Sequence, residues 1–155
     1  MRNRDSIRLW ITGLALTASI GAPAHFAQAQ SMPVMRFTAG MHVIRAEVAA
    51  NDQTRSRGLM FRESLEPNQG MLFVFDYPGQ HCMWMKNTLI PLSVAFIEGD
   101  GSIANIADMK PKDETTHCAQ RPVPYALEME KGWFASRGIK PGQKLGGLDK
   151  APPPQ

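Results

Sequence analysis

The stretch Gly70-Met71-Leu72-Phe73-Val74-Phe75 decides the fold, because five consecutive apolar residues follow a single glycine. Neighbouring side chains of a strand point to opposite faces of its sheet. A run that is apolar at every position therefore predicts a central strand that is covered on both faces. Turn signals bound this run, with Pro67-Asn68-Gln69-Gly70 before it and Tyr77-Pro78-Gly79 after it.

Further strands are predicted on both sides of this central run. Apolar and charged side chains alternate over residues 41–50, as in a half-buried strand. Similar patterns and a Glu98-Gly99-Asp100-Gly101 hairpin signal predict later strands over residues 81–88, 92–97, 102–106 and 125–129. The sequence therefore predicts an all-β fold, a β-barrel or β-sandwich, with a short helical insertion near residues 52–62 that Asn51 or Asp52 would cap.

The first 29 residues have the three parts of a secretory signal peptide. Three arginines lie among the first eight residues, an apolar run extends from Leu9 to Ile20, and Ala27-Gln28-Ala29 suits a signal peptidase. The apolar run is shorter than the roughly 20 residues of a membrane-spanning helix. We therefore expect cleavage before Gln30, a periplasmic or secreted location, and no stable membrane anchor after cleavage.

Beyond the signal, the chain is long enough for one ordinary domain. We expect a single β domain over residues 30–145 and a flexible Pro-rich tail over residues 146–155. The whole chain has 17 Lys and Arg against 14 Asp and Glu, but three of the Arg and one of the Asp lie in the signal. The 14 basic and 13 acidic residues that remain leave a net charge of about +1. A nucleic-acid partner is not expected, because no cluster of basic residues is visible.

Two cysteines, Cys82 and Cys118, follow the signal. In an oxidising compartment such a pair usually forms a disulfide. Closing this loop would stabilise the domain by about 3–4 kcal/mol on the loop-entropy model. The bond requires the predicted Pro111–Pro124 loop to fold back over the 81–88 segment.

Three segments together carry a family resemblance: Arg55-Ser-Arg-Gly-Leu-Met-Phe-Arg62, Gly70-Met-Leu-Phe-Val-Phe75 and Trp84-Met-Lys-Asn-Thr-Leu-Ile-Pro-Leu92. They resemble the domain-of-unknown-function family 192, whose small proteins are often exported or membrane-attached. The resemblance implies an all-β fold with a small helical insertion and brings no reaction with it. The chain departs from the family pattern at Ser93 and Gln143, where the family usually has Asp.

A candidate ligand-binding surface is predicted around Trp84. Strand alternation would place Trp84 and Lys86 on one partly exposed face, where an aromatic ring beside a cation suits a flat ligand with a polar edge. Asn87 follows in a predicted turn, and Arg62 is expected to supply a second wall. Glu128 is the fifth residue of this candidate surface. As a Glu flanked by core positions, it is expected to face outward or to pair with Arg57 or Arg62. The alternative is architectural, with Trp84 closing the end of a barrel beneath the stem of Lys86.

A metal site is the alternative interpretation of two dipeptides, His81-Cys82 and His117-Cys118. Two His and two Cys suit zinc, and with nearby methionines they would suit Cu(I). Adjacent residues of a strand point apart, however, and a disulfide would remove both thiolates. No cofactor is therefore expected.

The expected function is a non-catalytic binding or accessory module for a small molecule, an envelope glycan or a protein partner. A copper-binding protein is the alternative, and an enzyme of unknown reaction is third. No nucleophile elbow, zinc-protease motif, Cys-x-x-Cys or phosphate-binding glycine loop is present in the sequence.

The exported protein should begin at Gln30, because Ala27 and Ala29 fit the small side-chain pockets of a signal peptidase. Intact mass spectrometry of periplasmic material should give the mass of residues 30–155. A full-length mass in the membrane fraction would contradict this prediction.

Overall fold

A computed structural model describes residues 32–155 of the chain. The predicted signal peptide and its cleavage site lie outside the described residues. Within residues 32–155, no helix is long and apolar enough to cross a membrane.

The main element of the described chain is one curled, half-barrel sheet of seven strands, which confirms the all-β prediction. The strands and helices follow one another as β1 (Val34–Ala39), β2 (His42–Ala49), α1 (Asp52–Arg57), β3 (Gln69–Gly79), β4 (Cys82–Met83), β5 (Leu92–Ile97), β6 (Ile103–Met109), β7 (His117–Cys118), β8 (Val123–Glu130), α2 (Trp133–Ser136) and β9 (Leu145–Gly146). The order across the sheet is β6-β5-β8-β3-β2-β1-β9, and β4 with β7 forms a separate two-stranded sheet.

Strand β3 is central, as its apolar run predicts. It pairs in parallel with β2 on one side and antiparallel with β8 on the other. Alternate residues of β3 contribute to two different apolar clusters, Leu72 and Val74 to one and Met71 and Phe73 to the other. Both faces of the sheet are therefore covered.

The two faces have different covers. The first face packs against α2 and the C-terminal segment, with Phe37, Phe134 and Leu148 in its cluster. The second face is covered by residues that follow α1 and β4, including Leu59 and Met85. This second cover contains the candidate site described below.

Helix α1 is shorter than the predicted helical insertion. It begins after Asn51, whose side chain accepts a hydrogen bond from the Thr54 amide at 2.9 Å in a capping box. It ends at Arg57 because Gly58 adopts φ 48°, a conformation that favours glycine and stops a helix.

The predicted strand over residues 81–88 is wrong in length. Pairing stops at Met83, and the chain turns at Lys86 and Asn87, where Asn87 has φ 55°. Strand β4 ends where its pairing with the two-residue strand His117–Cys118 ends. Asn tolerates the left-handed conformation of the turn that follows at Asn87. Burial nevertheless alternates as expected, with Met83 and Met85 buried and Trp84 exposed.

The predicted disulfide between Cys82 and Cys118 is confirmed. The two cysteines face each other directly across β4 and β7, with Cα atoms 3.9 Å apart. The Ala119 amide also donates to the His81 carbonyl at 2.9 Å. The long loop before β8 is therefore joined to the segment that carries Trp84.

The C-terminal segment differs in extent from the predicted boundary at residue 145. Strand β9 includes Gly146, a single 3-10 turn follows over Leu148–Lys150, and Leu148 is buried in the first cluster. The apolar Leu148 and Ala151 explain why packing continues past the two glycines.

Replacing Gly70 with Ala should destabilise the domain by about 1–3 kcal/mol, because a side chain there would overlap the Glu128 carbonyl and the Met129 sulfur of β8. Gly99→Ala is the matched control, since its Cβ would meet nothing nearer than Pro124 at 3.9 Å. Urea unfolding of residues 30–155 measures both. Equal stabilities for the two variants would contradict the close β3–β8 approach.

Candidate functional site

A cleft of about 270 Å³ opens in the cover of the second face, between the end of α1 and β4. Its lining brings together side chains from five parts of the chain, among them Met60, Phe73, Phe75, Met83, Trp84 and Glu128. Two of the five predicted ligand-binding residues, Trp84 and Glu128, therefore line one concave site.

Glu128 lies at the base of the cleft because of the strand register. It pairs with Met71 of β3 on one side and with Val94 of β5 on the other, and Met71 pairs with Glu47 of β2. Residues directly opposite one another in paired strands point to the same face. The Glu128 side chain is therefore placed among apolar side chains of the second face, and the residue is 3% exposed.

Burial raises the pKa of Glu128 from 4.5 to about 8, and desolvation is the cause. Among the described residues, no hydrogen bond or ion pair involves its carboxyl oxygens. Glu128 lines the cleft, so a molecule in the cleft can contact its carboxyl group. The expected outward orientation or arginine partner of Glu128 is thus wrong, and at neutral pH the group is mainly a neutral acid.

Aromatic rings of β3 form one wall of the cleft. Phe73 and Phe75 are two residues apart and therefore point to the same face. Phe75 stacks on His81 with ring centroids 3.8 Å apart, and the His81 Nε2 lies 2.9 Å from the Tyr77 carbonyl oxygen. Gly58 permits the close approach of the α1 end to this wall, since a Cβ there would lie 3.2 Å from the Phe73 ring.

Trp84 and Lys86 form the outer rim. The Trp84 side chain is 43% exposed, and the Lys86 Nζ lies over its ring at 5.2 Å from the centroid. Asn87 is next to this rim, with its Nδ2 4.0 Å from the Met60 sulfur. The Asn87 carbonyl accepts from the Phe61 amide at 2.9 Å, which joins the rim to the segment after α1.

Arg62 does not take the predicted place beside Trp84 and Lys86. Its Nη2 donates to both carboxyl oxygens of Glu47, at 2.6 and 2.7 Å. The prediction failed because it extended α1 to this residue, whereas the chain leaves the helix at Gly58. Arg62 instead fixes the Gly58–Met60 side of the cleft to strand β2.

Arg55 and Arg57 also lie at the cleft, and their environments differ. Arg55 donates to the Ala50 and Val74 carbonyls at 3.0 and 2.9 Å and pairs with Asp52 and Asp76. Its charge is therefore compensated within the fold. Arg57 lines the cleft and is exposed.

The four residues of the alternative metal interpretation, His81, Cys82, His117 and Cys118, do not form a metal site in this structure. Both sulfurs belong to the disulfide, and the His81 ring stacks on Phe75. Over residues 32–155, no group of three or more His, Cys, Asp or Glu side chains is arranged to hold an ion.

Ser93, one of the two departures from the family pattern, has a structural role on the other face of the sheet. Its Oγ donates to Asp108 at 2.6 Å and accepts from the Gly132 amide at 2.9 Å. Ser93 pairs with Met129, whose side chain belongs to the first cluster. The position is therefore directed away from the Glu128 cleft.

Sequence reasoning missed Met60, Phe73 and Phe75 as site residues. The Phe73-x-Phe75 spacing predicts two rings on one face of the strand. Because every residue of the run is apolar, however, the pattern does not show which face borders a cleft. Met60 reaches the cleft through the turn after Gly58, and no periodic pattern predicts that turn.

Stability should fall as pH rises from about 4.5 to 8, because the folded state keeps a proton on Glu128 that the unfolded state has lost. The loss should approach the order of 5 kcal/mol at high pH. Glu128→Gln should remove this loss and raise the melting temperature at pH 8. Thermal unfolding from pH 4 to 9 measures it, with the exposed Glu130→Gln of the same strand as control. Parallel profiles for Glu128→Gln and wild type would contradict the assignment.

Comparisons with known proteins place the chain in a family. The profile of the DUF192 family, described as "Uncharacterized ACR", matches residues 35–147. No curated protein matches the chain. A protein of unknown function from Novosphingobium aromaticivorans DSM 12444 is 35% identical with a TM-score of 0.72, covering 88% of this chain and 100% of that one. A proposed transcription regulator from Sinorhizobium meliloti 1021 is 35% identical with a TM-score of 0.71, covering 76% of this chain and 96% of that one. The chain belongs to the DUF192 family.

Proposed function

We propose that this protein is a non-catalytic binding module whose ligand is a small organic molecule held in the Glu128 cleft. The observation that carries the proposal is the carboxyl group of Glu128, a residue that is 3% exposed, which lines a concave site without a hydrogen-bond partner among the described residues. Buried polar groups are normally satisfied by a hydrogen-bond partner. A ligand in the cleft would supply the partner that the described residues do not.

The aromatic part of the cleft fits this role. Small-molecule sites are concave and combine apolar and aromatic walls with polar groups that fix orientation. Phe73, Phe75 and Met83 supply apolar area here. The polar groups are those of Glu128, Asp52, Arg55, Ser56, Arg57 and Thr88. The volume of about 270 Å³ suits a compact molecule with a single ring or a short chain better than an extended glycan.

The proposal includes export to the periplasm. The N-terminal sequence pattern supports it, and the Cys82–Cys118 disulfide is consistent with an oxidising compartment. Reduction in the cytoplasm would release the link between β4 and β7, and Cys82 and Met83 of β4 line the cleft.

A binding role fits the cleft better than catalysis does. Glycoside hydrolysis, which uses a carboxyl group of raised pKa, normally requires a second carboxylate. Of the residues that line the cleft, Asp52 is the other acid, and it pairs with Arg55. A nucleic-acid role, suggested by the name of the Sinorhizobium protein, is not proposed, because the charge beyond residue 29 is nearly balanced.

Protein purified from the periplasm should retain or take up small molecules in this cleft. Mass spectrometry of compounds released on denaturation, together with a fragment screen by amide NMR, measures this. Shifted resonances should be confined to residues that line the cleft. Trp84→Ala should weaken the best fragment about tenfold, which corresponds to about 1.4 kcal/mol.

Met41→Ala is the matched control, because Met41 is also a large exposed apolar side chain, at 89%, on the β1–β2 turn. Lys86→Ala should change stability by less than about 0.5 kcal/mol, as for other exposed charges. Retention of a protein partner in place of a small molecule, or fragment shifts outside the cleft, would overturn the proposal.

A further inference from the structure

We propose that the Glu128 cleft selects a protonated amine, with the Glu128 carboxylate as its counter-ion at the base of the cleft. This inference rests on the proposed binding function and adds the chemical class of the ligand. It follows from the aromatic lining of the cleft and from the lack of a described hydrogen-bond donor to the Glu128 carboxyl group.

The base of the cleft lacks a hydrogen-bond donor for its acid. Ionised Glu is an acceptor with several lone-pair sites, and an ammonium group is a compact donor of three hydrogen bonds. Arg55 is paired with Asp52 and Asp76, and Arg62 with Glu47. Arg57 lines the cleft and is exposed, and no ion pair joins it to Glu128 among the described residues. A cationic ligand would supply the complementary charge.

The walls also favour a cation. Aromatic ring faces carry negative electrostatic potential and attract ammonium groups, more strongly when water is excluded. Phe73, Phe75 and Trp84 supply three rings to the lining, and Met60 and Met83 supply polarizable sulfur. Trp84 already holds the Lys86 Nζ over its ring at 5.2 Å.

Charges around the mouth do not exclude a cation. Helix α1 presents Asp52, Arg55 and Arg57, and Asp76 of β3 completes the Arg55 pairs. These two acids and two bases have no net charge. The β4 segment contributes Lys86 and His81, which are engaged with Trp84 and Phe75.

On β2, Glu47 is paired with Arg62. The position beside Glu128 on β5 is Val94. The Glu128 carboxyl is therefore the group that discriminates at the base.

Binding is expected to exchange one proton. In the empty cleft burial holds the pKa of Glu128 at about 8, so at pH 7 the carboxyl is mainly protonated. When the ammonium enters, the O–H bond of Glu128 breaks, the proton leaves to solvent, and the carboxylate accepts hydrogen bonds from the ammonium. Affinity should rise roughly tenfold per pH unit up to pH 8 and then level off, because only the ionised fraction binds.

The test uses three probes of matched size on residues 30–155: n-butylamine, n-butanol and n-butyrate. An alkyl ammonium resembles the Lys side chain, whose pKa is near 10.4, so the probe stays charged across the pH range used. Amide NMR titrations from pH 6 to 9 measure affinity. Calorimetry in two buffers of different ionisation enthalpy counts the released proton.

Butylammonium should bind at least tenfold more tightly than butanol or butyrate at pH 8, with close to one proton released at pH 7. Glu128→Gln should remove the pH dependence and the preference for the amine, whereas Glu130→Gln should retain both. Because the pH profile and proton count are measured on the wild type, the test does not depend on a variant that folds.

Tighter binding of butanol or butyrate in the cleft would overturn the amine assignment and leave the binding function standing. No binding of any probe or fragment in the cleft would overturn both.

Discussion

The burial of the Glu128 carboxyl in the second face of the sheet is the constraint on which the site depends. It follows from the register that sets Glu128 between Met71 and Val94. A carboxyl group cannot remain ionised among apolar side chains without a partner, so it takes up a proton. The fold thereby places a neutral acid where an ordinary core would have another apolar side chain.

The rest of the second cover leaves that acid accessible. Arg62 joins the segment after α1 to Glu47 of β2, and the Cys82–Cys118 bond joins the long loop before β8 to β4. Gly58 ends α1 close to the Phe73 ring. These three features fix the segments that cover the second face around the cleft, whereas the first face is closed by α2 and Leu148.

Sequence alone predicted the positions of the strands and turns better than the shape of the cover. Two-residue periodicity and turn residues identified the central strand, the 92–97 strand, the hairpin at Gly99–Gly101 and the disulfide. The extents of α1 and of the 81–88 strand were wrong. Gly58 ends α1 with a positive φ, and β4 ends at Met83 because its partner strand has only two residues. Trp84 was placed correctly at an exposed rim, but Arg62 was not, since ion pairing with Glu47 joins residues that no local pattern relates. Glu128 lacks a partner on the neighbouring strands because apolar residues, Met71 and Val94, lie opposite it. The periodicity of one strand does not predict which residues lie opposite it on its neighbours.

The central claim is that Glu128 is a neutral, unpartnered acid at pH 7, available to a ligand. The most direct measurement is a carboxyl-carbon NMR titration of residues 30–155 labelled at Glu, with the Glu128 signal assigned by its absence in Glu128→Gln. The account predicts a titration midpoint near pH 8, well above the usual 4.5. A midpoint at or below the usual value would show that the carboxyl has a charged partner or free access to water, and would contradict the account.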